Sequence, residues 1–352
     1  MDYDYSSMLG NSTWMYDNSS FDDDYVTLCP KRNVNHLGAV YLPTFYHCIF
    51  LLSLLGNVLV LYIIYKYEKL NSMTNIFLLN LVISDLVFAS SLPFWATYHA
   101  SEWIFGSALC KMVSSVYYIG FYSSILFLTL MTLDRYLAVV HAITALKRRR
   151  NTYACISSAA VWFISILASL KKMILFDVRT DGDAGTLCEE TGFSKEVLTR
   201  WQLIGDYMQF VVFFLLPLAV VLYCYIRITV RIIHSRMREK CRAVKLIFVI
   251  IVAFFICWTP YNVVILLRAL QDSPSKDAHP CTEGLDHALY VSRNIAFLYC
   301  CINPVFYTFV GKKFRSHFQK ILAKRIPCLG NQLAGSQSSR TVSQKSPHTM
   351  HE

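Results

Sequence analysis

The chain alternates seven long apolar runs with short polar segments. The runs cover residues 42–65, 75–98, 112–133, 153–170, 207–226, 246–267 and 287–309. Each has about 18 to 24 residues, close to the ~20 that a helix needs to cross a hydrocarbon core of ~30 Å. Asp85 and Arg293 are the only charged residues inside the runs. The pattern predicts an all-α membrane protein, a seven-transmembrane helix bundle, and we call the runs the first to seventh spans.

Composition agrees with a membrane protein. Of the 352 residues, 55% are hydrophobic and 16% are charged, whereas roughly 25% are charged in ordinary soluble domains. The mean hydropathy is +0.40. The net charge of +10 could suggest nucleic-acid binding, but the basic residues lie mostly between the apolar runs rather than on one face. Membrane topology therefore explains the charge better, and no nucleic-acid partner is expected.

The distribution of charge predicts the orientation. The segments that follow the first, third, fifth and seventh runs hold 22 of the 33 Lys and Arg residues and only four acids. Because cytoplasmic loops carry an excess of Lys and Arg, we expect an extracellular N-terminus and a cytoplasmic C-terminus in the plasma membrane. Asn11 and Asn18 begin Asn-x-Ser/Thr sequences and are candidate glycosylation sites on the extracellular side.

The N-terminal region, residues 1–40, is predicted to be an acidic disordered extracellular arm. Its first 28 residues contain six Asp and no Lys or Arg, a composition that favours disorder and fast electrostatic capture of a basic partner. A solvated tail without a partner is the alternative. Four tyrosines set among the acids are candidates for sulfation: Tyr3, Tyr5, Tyr16 and Tyr25.

The C-terminal region follows the transmembrane domain, residues 41–310. Residues 311–323 alternate basic and apolar side chains at helical spacing, which predicts an amphipathic helix that lies in the membrane interface. Residues 324–352 form a Ser/Thr-rich cytoplasmic tail, in which Cys328 is a candidate for palmitoylation.

The third run ends on adjacent charges, Asp134 and Arg135, followed by Tyr136. At the rim of a membrane an acid and a base persist when they neutralise one another or face the protein interior. We therefore interpret the pair as a two-state latch. The alternative is a cluster of charges that only stops translocation.

Asp85 lies deep in the second run, where a carboxylate is costly and marks an ion site, a relay or a hydrogen-bonded hub. Ser124 lies three helical turns outward from Arg135 on the same face of the third span. We expect Asp85, Ser124 and Asn303 to form a polar pocket that can hold an allosteric sodium ion, and no other cofactor is predicted. The alternative is a protonated Asp85 bonded to Asn57 or Asn303.

Arg293 lies eleven residues before Pro304, or roughly 16 Å along a helix at ~1.5 Å per residue. This places it in the outer half of the bundle, where a ligand cavity is expected. A guanidinium there must meet water, a protein carboxylate or a ligand acceptor. One alternative is a permanent ion pair with Asp206 or Glu190; the other is that Arg293 binds carbonyl or carboxylate oxygens of a ligand.

Prolines and cysteines predict further constraints. Pro93 predicts a kink in the outer half of the second span, and Pro260 a hinge in the sixth. Four cysteines lie in extracellular segments, Cys29, Cys110, Cys188 and Cys281. They allow three pairings, and the sequence does not choose among them.

Several motifs together resemble those of the rhodopsin-like G-protein-coupled receptors, over about residues 40–325. In chain order they are Asn57, Asp85, Asp134-Arg135-Tyr136, Trp162, Pro217, Trp258 with Pro260, and Asn303-Pro304 with Tyr307. Within that class the chain is similar to the chemokine receptors, at residues 134–142 and at the turn 103–106. Residues 66–68, 74–77 and 293–297, with Cys300-Cys301, look like the XC, or lymphotactin, type. Arg293 departs from the pattern, because most chemokine receptors have Glu there.

The resemblance implies partners and site residues. The partners are a chemokine, an inhibitory-class heterotrimeric G protein that directs leukocyte chemotaxis and calcium mobilisation, arrestin and receptor kinases at the tail, and plasma membrane lipids. The family pairs Cys29 with Cys281 and Cys110 with Cys188. The expected ligand-binding residues are Tyr46, Trp95, Tyr117 and Tyr261, with Glu190, Asp206 and Arg293. The expected signalling switches are Asp134, Arg135, Tyr136, Tyr225, Trp258, Pro260, Asn303, Pro304 and Tyr307.

Other functions were weighed against a chemokine receptor of the XC type. A CC-type receptor and an atypical receptor that scavenges chemokine without signalling are the nearest alternatives. A membrane transporter belongs to a different class, but transporters usually have internal repeats and several intramembrane charges. No enzymatic activity is expected, because no nucleophile with a base and no metal-ligand cluster faces a common site.

Overall fold

The computed structural model describes residues 32–68, 72–141, 151–181, 185–235, 241–271, 283–310 and 312–325. These residues are helical apart from one β-hairpin and short connections. The helices before the hairpin are α1 (Arg32–Tyr67), α2 (Met73–Ser90), α3 (Leu92–Ala100), α4 (Gly106–Val140) and α5 (Asn151–Leu175). The strands are β1 (Phe176–Asp181) and β2 (Gly185–Glu190). The helices after it are α6 (Lys195–Phe210), α7 (Leu216–Ser235), α8 (Cys241–Gln271), α9 (Glu283–Phe297), α10 (Tyr299–Val310) and α11 (Lys312–Arg325).

The helices form a bundle of transmembrane spans, as predicted. Six helical stretches of the described residues are long and apolar enough to cross a membrane: Tyr41–Tyr67, Met73–Ala100, Gly106–Val140, Asn151–Leu175, Lys195–His234 and Ile247–Gln271. The seventh span is divided into α9 and α10. They meet at Leu298, whose N–H donates to the carbonyl of Ile295 at 3.2 Å. Each half alone is too short to cross the hydrocarbon core.

The helices and the predicted spans differ in their bounds. Several helices continue past their apolar runs, so that α4 extends through the Asp134-Arg135-Tyr136 motif to Val140. Helix α1 begins at Arg32, before the first apolar run. Hydropathy marks the part of a helix that lies in hydrocarbon, and a helix can continue beyond that part.

A short β-hairpin lies between the fourth and fifth spans of this mainly helical bundle. β1 and β2 pair antiparallel, with Phe176 opposite Glu190 and Asp181 opposite Gly185. Val178, Thr180 and Thr186 are β-branched residues, which favour strands, but charged residues separate them and the strands are short. Gly185 has a φ of 72°, a left-handed conformation that glycine adopts at little cost.

Close helix packing in the centre of the bundle depends on a glycine and an amide. A Cβ atom at Gly120 would lie 2.6 Å from the backbone nitrogen of Phe88, so the third span approaches the second closely only because this side chain is absent. Asn80 joins the second span to the fourth, since its Oδ1 accepts a hydrogen bond from the indole Nε1 of Trp162 at 2.9 Å.

Two prolines shape the second and seventh spans. The second span is interrupted at Ser91, two residues before Pro93, and Ser91 Oγ donates to the carbonyl of Phe88 at 2.8 Å. Pro304 has no N–H with which to bond the carbonyl of Cys300, four residues earlier. That carbonyl accepts hydrogen bonds from Asn57 Nδ2 at 3.0 Å and Ser53 Oγ at 3.3 Å. The first span therefore satisfies the group that Pro304 leaves free.

The C-terminal helix α11 follows the seventh span. Its His317 ring stacks on Tyr67 at 4.5 Å between ring centroids, and its Phe318 and Ile321 pack against the bundle core. One apolar face of this basic helix therefore contacts the protein.

Candidate functional site

The hairpin covers the end of the bundle that is predicted to be extracellular, and several contacts attach it to α4 and to the turn before α4. A disulfide joins Cys110 of α4 to Cys188 of β2, one of the three pairings that the sequence left open. The backbone N–H of Trp103 donates to the carbonyl of Thr186 at 2.8 Å. Lys111 forms a salt bridge with Asp177 at 3.0 Å. These contacts therefore hold the hairpin in a fixed position over part of the bundle.

Several predicted sites lie outside the described residues. They are the second expected disulfide, Cys29 with Cys281; the glycosylation candidates Asn11 and Asn18; the sulfation candidates Tyr3, Tyr5, Tyr16 and Tyr25; and the palmitoylation candidate Cys328. These stay predictions.

Two acids of the hairpin have lowered pKa values. Hydrogen bonds from the Ser107 hydroxyl, the Val178 N–H and the Lys111 ammonium hold the pKa of Asp177 at about 2. Burial raises the pKa of Glu190, but Lys172, with further contributions from Lys171 and Gln202, outweighs burial and lowers it overall. Both carboxylates are therefore ionised at neutral pH.

An outer cavity of about 390 Å³ opens beside the hairpin and is lined by charged side chains. The charged lining residues are Lys172, Glu189, Glu190, Asp206, Arg268 and Arg293. Lys172 donates to Glu190 at 2.6 Å, and its ammonium lies 4.8 Å from the ring centroid of Tyr118. Glu189 pairs with Arg179 at 2.8 Å.

An inner cavity of about 100 Å³ adjoins the outer one and has mainly aromatic walls. Its lining includes all four predicted pocket aromatics, Tyr46, Trp95, Tyr117 and Tyr261, together with Arg293. Ser114, Tyr118 and His99 also line it, and the sequence reasoning did not include them. Arg293 is shared by both cavities.

The ion pair of Arg293 with Asp206 or Glu190, one of the two alternatives for this residue, is not formed. Among the described residues Arg293 makes no salt bridge, and its Nε has no hydrogen-bond partner. Glu190 instead forms a salt bridge with Lys172, which the sequence analysis did not consider as its partner. The two adjacent lysines at the outer end of α5, Lys171 and Lys172, were the sequence signal for this contact.

Aromatic contacts connect the inner cavity to Trp258, deeper in the bundle. The ring of Phe88 lies 5.1 Å from Tyr117 and 6.1 Å from Trp258, and Tyr261 lies 6.0 Å from Trp258. Trp258 stacks on Phe121 with 4.1 Å between centroids. Movement of a side chain in the cavity would therefore reach the sixth span through packed rings.

Below the aromatic layer, polar side chains converge on Asp85. One carboxylate oxygen accepts a hydrogen bond from Ser124 at 3.1 Å and the other from Asn303 at 2.6 Å. Asn57 instead donates to Ser53 and Cys300. The Oδ1 atoms of Asn57 and Asn303 are buried without a hydrogen-bond partner. Carboxylate, hydroxyl and amide oxygens are suitable ligands for a hard cation, so the residues fit a sodium ion.

The opposite end of the bundle, which is predicted to be cytoplasmic, holds the charged motif. Arg135 forms a salt bridge with Asp134 at 3.0 Å, and the same carboxylate oxygen accepts a hydrogen bond from Thr74 at 2.6 Å. The sequence analysis did not identify Thr74 as a third member of this latch. The Tyr136 hydroxyl lies 3.1 Å from His141 Nε2.

Two further predicted switches, Tyr225 and Tyr307, lie on α7 and α10. Tyr225 is buried, with its hydroxyl 3.5 Å from the carbonyl of Val244 in α8. Tyr307 lies in α10, and its side chain is outside the described part of the chain.

Comparison with known proteins identifies the family. Residues 56–307 match the family described as 7 transmembrane receptor (rhodopsin family). The chain is 39% identical over 293 residues to human C-C chemokine receptor type 4, covering 83% of this chain and 81% of the relative. It is 40% identical over 320 residues to human C-C chemokine receptor type 1, covering 90% and 89%. It is 38% identical over 307 residues to C-C chemokine receptor type 3 of Cavia porcellus, covering 87% and 85%.

The chain therefore belongs to the rhodopsin family of seven-transmembrane receptors. Within that family it belongs to the chemokine receptors, which are not enzymes, and the prediction of this class is confirmed. The transporter alternative is excluded by the same matches. The more specific expectation of an XC type is not supported, because these three relatives are C-C receptors. The segments that suggested the XC type are short, whereas the similarity to C-C receptors extends over most of the chain.

Proposed function

We propose that this chain is a chemokine receptor of the CC type. The observation that carries the proposal is the identity of 38% to 40% with three C-C chemokine receptors over 83% to 90% of the chain. The predicted acidic arm complements a basic chemokine and increases the rate of encounter. CC-type binding is the alternative that the sequence left open beside the XC type.

The two cavities support a two-level mode of ligand binding. The outer cavity is wide and charged, which suits polar side chains of the chemokine body, whereas the inner cavity is narrow and aromatic. An extended N-terminal segment of the chemokine can enter past the hairpin and place a single side chain in the inner cavity. The disulfide between Cys110 and Cys188 fixes the hairpin to α4 beside that entrance.

The cytoplasmic end supports signalling through an inhibitory-class heterotrimeric G protein. The salt bridge between Asp134 and Arg135 holds the inactive state, and outward movement of the sixth span about Pro260 frees Arg135 for the G protein. Reduced cyclic AMP, calcium mobilisation and chemotaxis follow. Arrestin and receptor kinases act on the Ser/Thr-rich tail, and membrane lipids contact the spans and α11.

A sodium ion held by Asp85, Ser124 and Asn303 would favour the inactive state. The two unpartnered amide oxygens of Asn57 and Asn303 support this part of the proposal, because a cation would supply their missing partner. Such an ion would add positive charge beside the carboxylate of Asp85. Asn57 lies against the same part of the seventh span through its bond to Cys300.

Saturation binding tests the proposed ligand class. Cells that express the full chain are incubated with a panel of fluorescently labelled CC, CXC and XC chemokines, and untransfected cells are the control. We expect saturable binding of at least one CC chemokine. Binding of an XC or CXC chemokine alone would contradict the CC assignment. Binding without a cyclic AMP response would favour the scavenger alternative.

A further inference from the structure

Four buried polar atoms around the inner cavity have no hydrogen-bond partner in the part of the chain that the structure describes. They are Trp95 Nε1, Ser114 Oγ, Tyr117 OH and Arg293 Nε, and all four residues line the cavity. The indole and guanidinium nitrogens can only donate hydrogen bonds, whereas the two hydroxyls can donate or accept. Buried donors without acceptors cost free energy. The cavity is therefore short of acceptors, which a bound ligand can supply.

The charged lining of the inner cavity is positive. Arg293 is the only Lys, Arg, Asp or Glu that lines the inner cavity among the described residues. The two hairpin carboxylates that line the adjoining outer cavity are paired elsewhere, Glu190 with Lys172 and Glu189 with Arg179. Arg293 is half-buried and has no counter-ion among the residues that the structure describes, so it favours a ligand that brings a negative charge.

The volume of the inner cavity and its aromatic walls restrict which anions can bind there. A volume of about 100 Å³ accommodates one side chain or a small acid, but not several residues of a peptide. Aromatic rings of Tyr46, Trp95, Tyr117 and Tyr261 surround Arg293, so that the part of the ligand beyond the anionic group is apolar. A phosphate group carries about −1.5 to −2 charges at neutral pH, more than one guanidinium neutralises, whereas a carboxylate carries one.

We propose that the inner cavity is a binding site for a carboxylate attached to an apolar or aromatic group, with the carboxylate on Arg293. Two sources carry this chemistry. One is an acidic side chain near the N-terminus of the protein ligand, and this form rests on the proposed function. The other is a free small organic acid, which does not.

Direct binding to the purified full-length chain in lipid nanodiscs tests the site. The small probes are phenylacetate and 3-phenylpropionate, each compared with its neutral amide. The peptide probes are pentapeptides with one Glu beside one Phe, each compared with a twin in which Gln replaces Glu. Because hydrogen bonds to a charged group are strong in a desolvated site, we expect the acids to bind about tenfold or more tightly than the amides.

The variants assign this preference to one residue. Arg293→Gln should abolish the preference for acid over amide, Arg293→Lys should retain much of it, and Arg293→Glu should reverse it in favour of a peptide with Lys in place of Glu. Arg200→Gln is the matched control, since Arg200 is an exposed arginine on the extracellular side that pairs with Glu196. It should leave the preference unchanged.

Each outcome decides a part of the proposal. A preference for free acids alone identifies a small-molecule ligand, and a preference for Glu peptides alone identifies a side chain of the protein ligand. Equal binding of acids and amides by the wild-type chain would overturn the proposal, whether or not the variants fold. If no chemokine binds but acids are still preferred, the proposed function fails and the carboxylate site stands.

Discussion

Glu190 and Arg293 line the same outer cavity without forming an ion pair, because Lys172 donates to Glu190 at 2.6 Å. The pairing leaves the guanidinium of Arg293 available to a ligand at the point where the outer and inner cavities meet. Most chemokine receptors have Glu at this position, according to the family pattern, so the polarity of the site is reversed in this chain. The specificity of the receptor should therefore depend on acidic or carbonyl groups of the ligand.

Arg135→Ala should abolish cyclic AMP inhibition while surface expression and chemokine binding are largely retained, since Arg135 lies near the end of α4 opposite to the residues that line the cavities. Asp134→Asn should raise signalling without ligand, because it removes the salt-bridge partner of Arg135 and weakens the contact with Thr74. Cyclic AMP is measured with and without chemokine in cells matched for surface receptor. Arg315→Ala, which changes an exposed arginine of α11, is the control. Normal signalling by Arg135→Ala would refute the latch.

Sodium should reduce the affinity of the wild-type receptor for an agonist chemokine, and Asp85→Asn should remove this dependence on sodium. The reason is that the ion, held by Asp85, Ser124 and Asn303, binds the inactive state more tightly than the active one. The measurement is competition binding to membranes in sodium chloride or in choline chloride at equal ionic strength. The same affinity in both salts would count against the sodium site.

Gly120→Ala should destabilise the receptor by about 1–3 kcal/mol, the usual cost of overpacking a close contact. The new Cβ atom would lie 2.6 Å from the backbone of Phe88, whereas a Cβ at Gly284 meets nothing within 4 Å. Gly284→Ala is therefore a matched control that should not lower stability. The thermal unfolding midpoint of the purified receptor is measured for both variants. Equal midpoints would show that the two spans can separate without cost.

The charge of Asp177 should stabilise the hairpin over a defined pH range. Its pKa is about 2 in the folded chain, against about 3.9 for an unperturbed Asp. A lowered pKa means that the stabilisation is fully present above pH ~3.9 and is lost as the pH falls through the folded pKa. Asp177→Asn should therefore lower the unfolding midpoint by an amount that is constant between about pH 5 and pH 8. A difference that shrinks within that range would be inconsistent with this assignment.

Much of the fold was predictable, because the membrane imposes a length and a polarity on every span. The hairpin was not, since strands of six residues outside the hydrocarbon core carry no comparable signal and charged residues flank their few β-branched residues. The division of the seventh span at Leu298 was not predicted either, because Leu298 itself is apolar and favours a helix. The helix ends depend on local backbone hydrogen bonds that hydropathy does not record.

The candidate site was predictable where helical spacing alone brings residues together. Ser124 reaches Asp85 because both lie deep on facing sides of neighbouring spans. The partner of Glu190 was not predictable in the same way. It depends on where β2 lies relative to the end of α5, which determines that Lys172 and not Arg293 reaches the carboxylate.

The most direct test of the account is the cyclic AMP concentration in cells that express the full chain and are exposed to the panel of CC chemokines. The account predicts that at least one CC chemokine lowers cyclic AMP, and that a toxin that inactivates inhibitory-class G proteins abolishes the effect. Untransfected cells should not respond. Failure of every CC chemokine to lower cyclic AMP, in cells where the receptor is demonstrably on the surface, would contradict the proposal of a signalling CC-type receptor.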